Sequence, residues 1–151
     1  LTEITTTPTV HFIGRLQRNK VRLLAPHVDV WQTVDRPELA TEIAKRAPGA
    51  KVMIQVDISG EENKGGCGPD TTEDLVTHAN NAGLKVIGLM GVALLAEPQA
   101  ARPGFSVLRR LVDRLNLDEC SMGMSADLEI AVDEGATMVR IGRDLFGERL
   151  G

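Results

Sequence analysis

The sequence predicts an α/β fold with a parallel sheet, organised as part of a (β/α)8 barrel. Short apolar runs alternate along the chain with segments of helical periodicity, which is the pattern of repeated βαβ units. Each apolar run ends in a glycine or in a polar loop, where α/β proteins carry their functional groups. No GxGxxG pattern follows the first strand and no Walker A motif occurs, so a nucleotide-binding sheet of either kind is poorly supported.

The first half of the chain supplies three strands and two helices. The strands are predicted at Val10–Ile13, Val28–Val34 and Lys51–Ile58. The helices are predicted at Val21–Ala25 and Glu38–Ala47. We expect the third strand to be buried on both faces, because its apolar run is nearly continuous. Asp35 is placed to cap the second helix, and Pro37 falls in its first turn, where proline is tolerated.

The second half repeats the pattern. One helix is predicted to be capped by Thr71 or Thr72 and to run through Asn81, and two more are predicted at Phe105–Leu115 and Ala126–Glu134. The predicted strands are Val86–Leu95, Glu119–Met122 and Thr137–Ile141. Gly83 and Gly135 stand where C-cap glycines belong. The segment Glu97–Gly104 is predicted to be a loop.

Two glycine turns near the end of the chain predict a phosphate site. Gly123–Ser125 follows the fifth strand, and Gly142 follows the sixth. Such turns leave backbone N–H groups free to bind an anion, and the N-terminus of a following helix adds a favourable dipole. The alternative is that both glycines only permit sharp turns.

The strand count is too small for a closed barrel. Six strands are predicted, and 151 residues fall short of the roughly 200 that this fold usually needs. A barrel's phosphate site is often built by the loops after strands seven and eight. If the glycine turns are those loops, the chain is a single domain, 1–151, that covers about six of the eight βα units. We then expect two N-terminal units to be absent, and a first residue other than Met agrees with this.

Composition narrows the function classes. The chain is 42% hydrophobic, has a net charge of −4 and contains only 3% aromatic residues, so neither a nucleic-acid surface nor a membrane span is predicted. Cys67 and Cys120 match no metal-ligand spacing. They are interpreted as reduced thiols of a cytoplasmic protein, with a disulfide as the alternative.

A set of short motifs then runs in the order of one known family. The motifs are His11–Gly14, Leu16–Gln17, Asn19–Lys20, Val34–Arg36, Gln55–Val56, Ser59, Glu61, Lys64–Gly65, Gly88–Met90, Ser121–Asp127, Val139–Gly142 and Phe146–Gly147. The chain resembles the pyridoxal phosphate homeostasis proteins, relatives of the N-terminal barrel domain of alanine racemase. The resemblance implies a barrel of that type holding pyridoxal 5′-phosphate (PLP) at the carboxyl ends of its strands. In the family PLP forms a Schiff base with a lysine of the first strand, and no lysine of this chain occupies that place.

The resemblance also implies a set of cofactor-binding residues. Arg140 is expected to face the pyridine nitrogen of PLP, the alternative being an arginine paired to a barrel carboxylate. His11 is expected near the cofactor or, equally, as a satisfied barrel histidine. The full set of cofactor-binding residues predicted here is Ser121, Gly123, Met124, Ser125, Arg140, Gly142, Arg143, His11 and Asn19.

The function implied by the resemblance is PLP homeostasis: binding, buffering and transferring PLP, with no firm catalytic turnover. The partners would be PLP and apo PLP enzymes, and the protein would be a monomer or a weak dimer. An amino-acid racemase is the alternative from another class, but it needs a second acid/base, commonly a Tyr, and the chain contains none. A third interpretation is a barrel fragment that binds nothing.

Overall fold

The computed structural model describes residues 6–61, 64–93 and 97–147. The strands are β1 (His11–Phe12), β2 (Val30–Val34), β3 (Lys51–Val56), β4 (Lys85–Gly91), β5 (Glu119–Met124) and β6 (Met138–Arg140). The helices are α1 (Val21–Leu24), α2 (Pro37–Arg46), α3 (Thr72–Asn81), α4 (Arg102–Arg114), α5 (Leu128–Asp133) and α6 (Arg143–Phe146). Short 3₁₀ turns occupy Arg18–Lys20 and Pro98–Ala101. Within the described residues, neighbouring strands pair in parallel and in sequence order from β1 to β6, which confirms the predicted class.

The sheet has two faces of different character because side chains alternate along each strand. One face packs on the helices and forms the main core, in which Trp31, Ile54 and Leu89 are fully buried. The opposite face carries a smaller apolar layer around Met53 and Met90. β3 therefore buries side chains on both faces, as its continuous apolar run predicts.

The sheet is strongly curled. Neighbouring strands lie about 4.8 Å apart, so β2 and β5 would be about 14 Å apart in a flat sheet. Yet the side chains of Gln32 on β2 and Ser121 on β5 meet at 2.7 Å. Gln32 also reaches Met138 on β6, with 3.1 Å between Nε2 and Sδ. The face opposite the helices is therefore concave, as on the inside of a barrel.

Local differences from the sequence predictions have physical reasons. α4 begins at Arg102, inside the predicted loop, because Pro103 fits the first turn of a helix. Asp35 does not cap α2; its carboxylate pairs with the guanidinium of Arg36 at 2.6 Å instead. The end predicted for the fourth strand, 94–95, lies outside the described residues. Cys67 and Cys120 are free thiols.

Candidate functional site

A cavity of about 670 Å³ opens at the carboxyl ends of β5 and β6. Its volume is within the range of about 300–1,000 Å³ that is typical of small-molecule sites. The lining residues are His11, Ile13, Gln32, Met124, Ser125, Ala126, Met138, Val139, Arg140, Ile141, Gly142 and Arg143. Six of the nine residues predicted from the sequence are among them: His11, Met124, Ser125, Arg140, Gly142 and Arg143. The curl of the sheet brings His11 of the first strand to the same cavity as Arg140 of the last.

Four polar side chains form a continuous chain of hydrogen bonds on the concave face, which we call the inner-face chain: Arg140, Ser121, Gln32 and His11. Arg140 Nη1 donates to Ser121 Oγ at 2.9 Å, and Ser121 Oγ donates to Gln32 Oε1 at 2.7 Å. Gln32 Nε2 lies 2.8 Å from His11 Nδ1. Ser121 and Gln32 are almost fully buried, so these bonds satisfy polar groups that water does not reach.

Arg140 is the charged member of the inner-face chain. Its Nη2 donates to the carbonyl oxygen of Gly91 at 2.9 Å, which fixes the plane of the guanidinium. Burial lowers the pKa of Arg140, and the negative charge of Asp127 acts in the opposite direction. An arginine stays protonated in proteins, so the group remains a cation and has further N–H donors to offer a ligand.

The two glycines of the predicted phosphate site have different reasons to be glycine. Gly123 has a φ of +96°, and a Cβ at this position would lie 2.5 Å from the Cβ of Ala131 on α5. Gly123 is buried and does not line the cavity; it permits the turn and the close packing of α5, and its role in cofactor binding stays a prediction.

Gly142 is different. Its φ is −124°, and a Cβ built on it would meet no heavy atom within 4 Å. Neither its backbone conformation nor its neighbours require a glycine, and the space beside it belongs to the cavity. Gly142 therefore leaves room at the cavity wall, next to the exposed Arg143.

The backbone N–H of Met124 is already occupied. It donates to Asp127 Oδ1 at 2.7 Å, so this N–H is not the free anion donor that the sequence predicted. Asp127 precedes α5, and its buried carboxylate closes the turn that follows β5. α5 consequently begins at Leu128, two residues later than predicted.

Two further residues predicted to bind the cofactor, Asn19 and Ser121, do not line the cavity. Asn19 lies in the exposed 3₁₀ turn before α1, and its role in cofactor binding stays a prediction. Ser121 accepts a hydrogen bond from Arg140, which does line the cavity, and its own role in cofactor binding stays a prediction. Gln32 was not predicted as a site residue, although a polar residue inside the alternating run of β2 is a detectable signal.

Comparisons with known proteins agree with the fold. The family model described as the alanine racemase N-terminal domain matches residues 2–150. A pyridoxal phosphate homeostasis protein from Aquifex aeolicus is 46% identical over 151 residues, and the match covers 92% of this chain and 66% of that relative. The chain thus spans a little under two thirds of the length of that relative.

Solved structures of PipY from Synechococcus elongatus share the fold. The structure without PLP has a TM-score of 0.84 and 34% identity, covering 96% of this chain and 74% of PipY. The structure with PLP bound has a TM-score of 0.81 and 31% identity, covering 92% of this chain and 70% of PipY. Within the ranges that the structure describes, no helix has the length and apolar character needed to cross a membrane.

The motifs that suggested the resemblance, the parallel curled sheet and the family match therefore agree. They confirm the predicted barrel class and its type. The chain belongs to the family of alanine racemase N-terminal domains.

Proposed function

We propose that this chain forms a PLP-binding domain of a protein that maintains PLP homeostasis by binding, buffering and handing over the cofactor. The observation that carries the proposal is the cavity at the ends of β5 and β6, with the cationic Arg140 in its wall and open space beside Gly142. The PLP-bound PipY structure and the name of the Aquifex relative support the same ligand.

The residues present fit the two ends of PLP. Arg140 would hold the pyridine nitrogen, because a guanidinium donates hydrogen bonds and cannot accept one. The phosphate would lie at the turns that carry Ser125 and Gly142, where Arg143 adds positive charge. Bound PLP supplies an aldehyde conjugated to an electron-accepting ring. A permanently charged donor at the ring nitrogen leaves that nitrogen unprotonated and the ring a weaker electron sink, which suits storage better than turnover.

Equilibrium titrations with PLP and with pyridoxal test the proposal. We expect PLP to bind and pyridoxal to bind at least tenfold more weakly, since only PLP carries the phosphate. Arg140→Gln is expected to weaken PLP binding by about tenfold or more, the value of one charge-assisted hydrogen bond. Arg110→Gln, at an exposed position on α4, is the matched control and should bind as the unaltered protein does.

A result in which PLP and pyridoxal bind equally, or not at all, would contradict the proposal. Borohydride reduction of the protein as isolated from its source, followed by intact-mass measurement, adds an independent readout. A mass increase of one reduced pyridoxyl phosphate identifies covalently held cofactor. Peptide mapping of the reduced protein then identifies the lysine that carries the pyridoxyl phosphate.

We further propose that the recipients are apo PLP enzymes, that the protein acts in the cytoplasm, and that it is a monomer or a weak dimer. Activation of an apo PLP enzyme by the loaded protein, in the presence of a trap for free PLP, tests direct transfer. Activation that disappears when the trap is added would show that PLP only passes through solution. Light scattering over a concentration series measures the oligomeric state.

A further inference from the structure

We infer that Gln32 is a positioning residue that holds His11 as a neutral imidazole with its proton on Nε2, so that His11 presents a hydrogen-bond donor to the cavity. The inference rests on the proposed function only for the identity of the ligand. Its basis is the direction of the hydrogen bonds in the inner-face chain.

The direction is set at Arg140. A guanidinium only donates, so Ser121 Oγ accepts from Arg140 Nη1. The Ser121 hydroxyl proton then needs an acceptor, and Gln32 Oε1 lies 2.7 Å away. If the amide were reversed, Gln32 would donate to Ser121, and the buried hydroxyl proton would lose the acceptor that it has in this arrangement.

A second contact fixes the same orientation. Gln32 Nε2 lies 3.1 Å from the sulfur of Met138, and an amide N–H is a donor to a thioether. In the reversed amide, the carbonyl oxygen would face the lone pairs of the sulfur at this distance. Two independent neighbours, on β5 and on β6, therefore place the amide nitrogen toward His11.

The tautomer of His11 follows. Gln32 Nε2 donates to His11 Nδ1 across 2.8 Å, so Nδ1 is the acceptor and carries no proton. A neutral imidazole has one N–H, which is then at Nε2. His11 lines the cavity, and it therefore meets a ligand as an uncharged donor, which favours an acceptor oxygen or nitrogen on the ligand.

Long-range ¹H–¹⁵N NMR on the ligand-free protein tests this inference directly. The spectrum at pH 8.5, where histidine side chains are ordinarily neutral, distinguishes protonated from unprotonated ring nitrogens. The chain has three histidines, and the resonances that vanish in His11→Gln belong to His11. We expect a protonated Nε2 and an unprotonated Nδ1.

Gln32→Glu replaces the amide donor that faces His11 Nδ1 with a carboxylate, which is an acceptor. The carboxylate still accepts from Ser121, but it can only accept from His11, so Nδ1 is expected to become protonated. Gln55→Glu introduces the same charge on β3, where Gln55 bonds to the carbonyl of Gly65, and should leave the His11 signals unchanged. Should Gln32→Glu fail to fold, Gln32→Leu removes the amide that donates to Nδ1, and a mixture of both His11 tautomers is expected.

A proton on Nδ1 in the unaltered protein would overturn the inference. So would His11 signals that stay unchanged in folded Gln32→Glu, or in Gln32→Leu if that variant has to be used. Because these spectra are recorded without ligand, failure of the proposed function would appear separately, as absence of PLP binding by the unaltered protein.

Discussion

Alanine substitution at the two glycine turns is expected to separate a structural glycine from a ligand-binding one. At Gly123, alanine has to adopt a left-handed backbone conformation, which costs about 1–2 kcal/mol. Its Cβ would also lie 2.5 Å from the Cβ of Ala131, whereas carbon atoms prefer about 3.5–4.0 Å. Overpacking of this kind typically costs about 1–3 kcal/mol. We therefore expect Gly123→Ala to lower the free energy of unfolding by about 2–5 kcal/mol.

At Gly142 neither cost applies. The backbone has a negative φ, and the added methyl group meets no protein atom within 4 Å. Gly142→Ala should leave the free energy of unfolding unchanged or raise it by about 0.4–1 kcal/mol through the unfolded chain. It should nevertheless weaken PLP binding by about tenfold or more, the equivalent of about 1.4 kcal/mol, because the methyl group occupies space that the phosphate would use.

Urea unfolding followed by tryptophan fluorescence measures both variants with one probe. The chain has one tryptophan, Trp31, which is fully buried in the folded state. PLP titration of each folded variant completes the comparison. Equal destabilisation by the two substitutions would refute the assignment of Gly123, and full PLP affinity in Gly142→Ala would refute that of Gly142.

Two further predictions concern titratable groups. Burial raises the pKa of Cys120 to about 11, so this thiol should resist alkylation at pH 8 until the protein unfolds. The stability that the buried neutral thiol contributes is fully present at pH values below the ordinary thiol pKa. It should be lost as the pH rises toward 11. Thiol labelling in native and denaturing buffer and urea midpoints between pH 8 and 11 check this; rapid native labelling of Cys120 would contradict it. Hydrogen bonds from Ser106 and then Arg102 lower the pKa of Glu134, so its contribution to stability is present above the ordinary carboxyl range and is lost as the pH falls. Glu134→Gln should therefore flatten the decline of the urea midpoint between pH 6 and 3, and an unchanged slope would count against the pair of hydrogen bonds.

The sequence was most informative where local rules decide the structure. The continuous apolar run of β3 predicted a strand buried on both faces, and Pro37 predicted the first turn of α2. It was less informative at helix ends, because these depend on neighbours. Asp35 could have capped α2, but the adjacent Arg36 offers its carboxylate an ion pair instead.

Some residues of the candidate site were also predictable from local patterns, whereas others depend on contacts remote in the sequence. Motifs near the end of the chain located Arg140 and Gly142, since glycine turns after strands are visible in the sequence. Gly123 and Gly142 look alike there, and only a backbone angle and the distance to Ala131 distinguish them. The polar Gln32 is visible inside the run of β2, but its role could not be predicted because its partners are remote along the chain and no local pattern connects them.

That remoteness has a consequence for biosynthesis. The bonds of Gln32 to Ser121 and to Met138 join residues separated by 89 and 106 positions. Contacts of such long range can form only once both residues have been synthesised, and they form slowly because closing the long loop between them is costly in entropy. The floor of the cavity is thus incomplete on the ribosome until β6 has emerged. A nascent chain that stalls before this strand can have most of its sheet and helices and still lack the pocket, so a ligand that needs the complete pocket binds only late in synthesis.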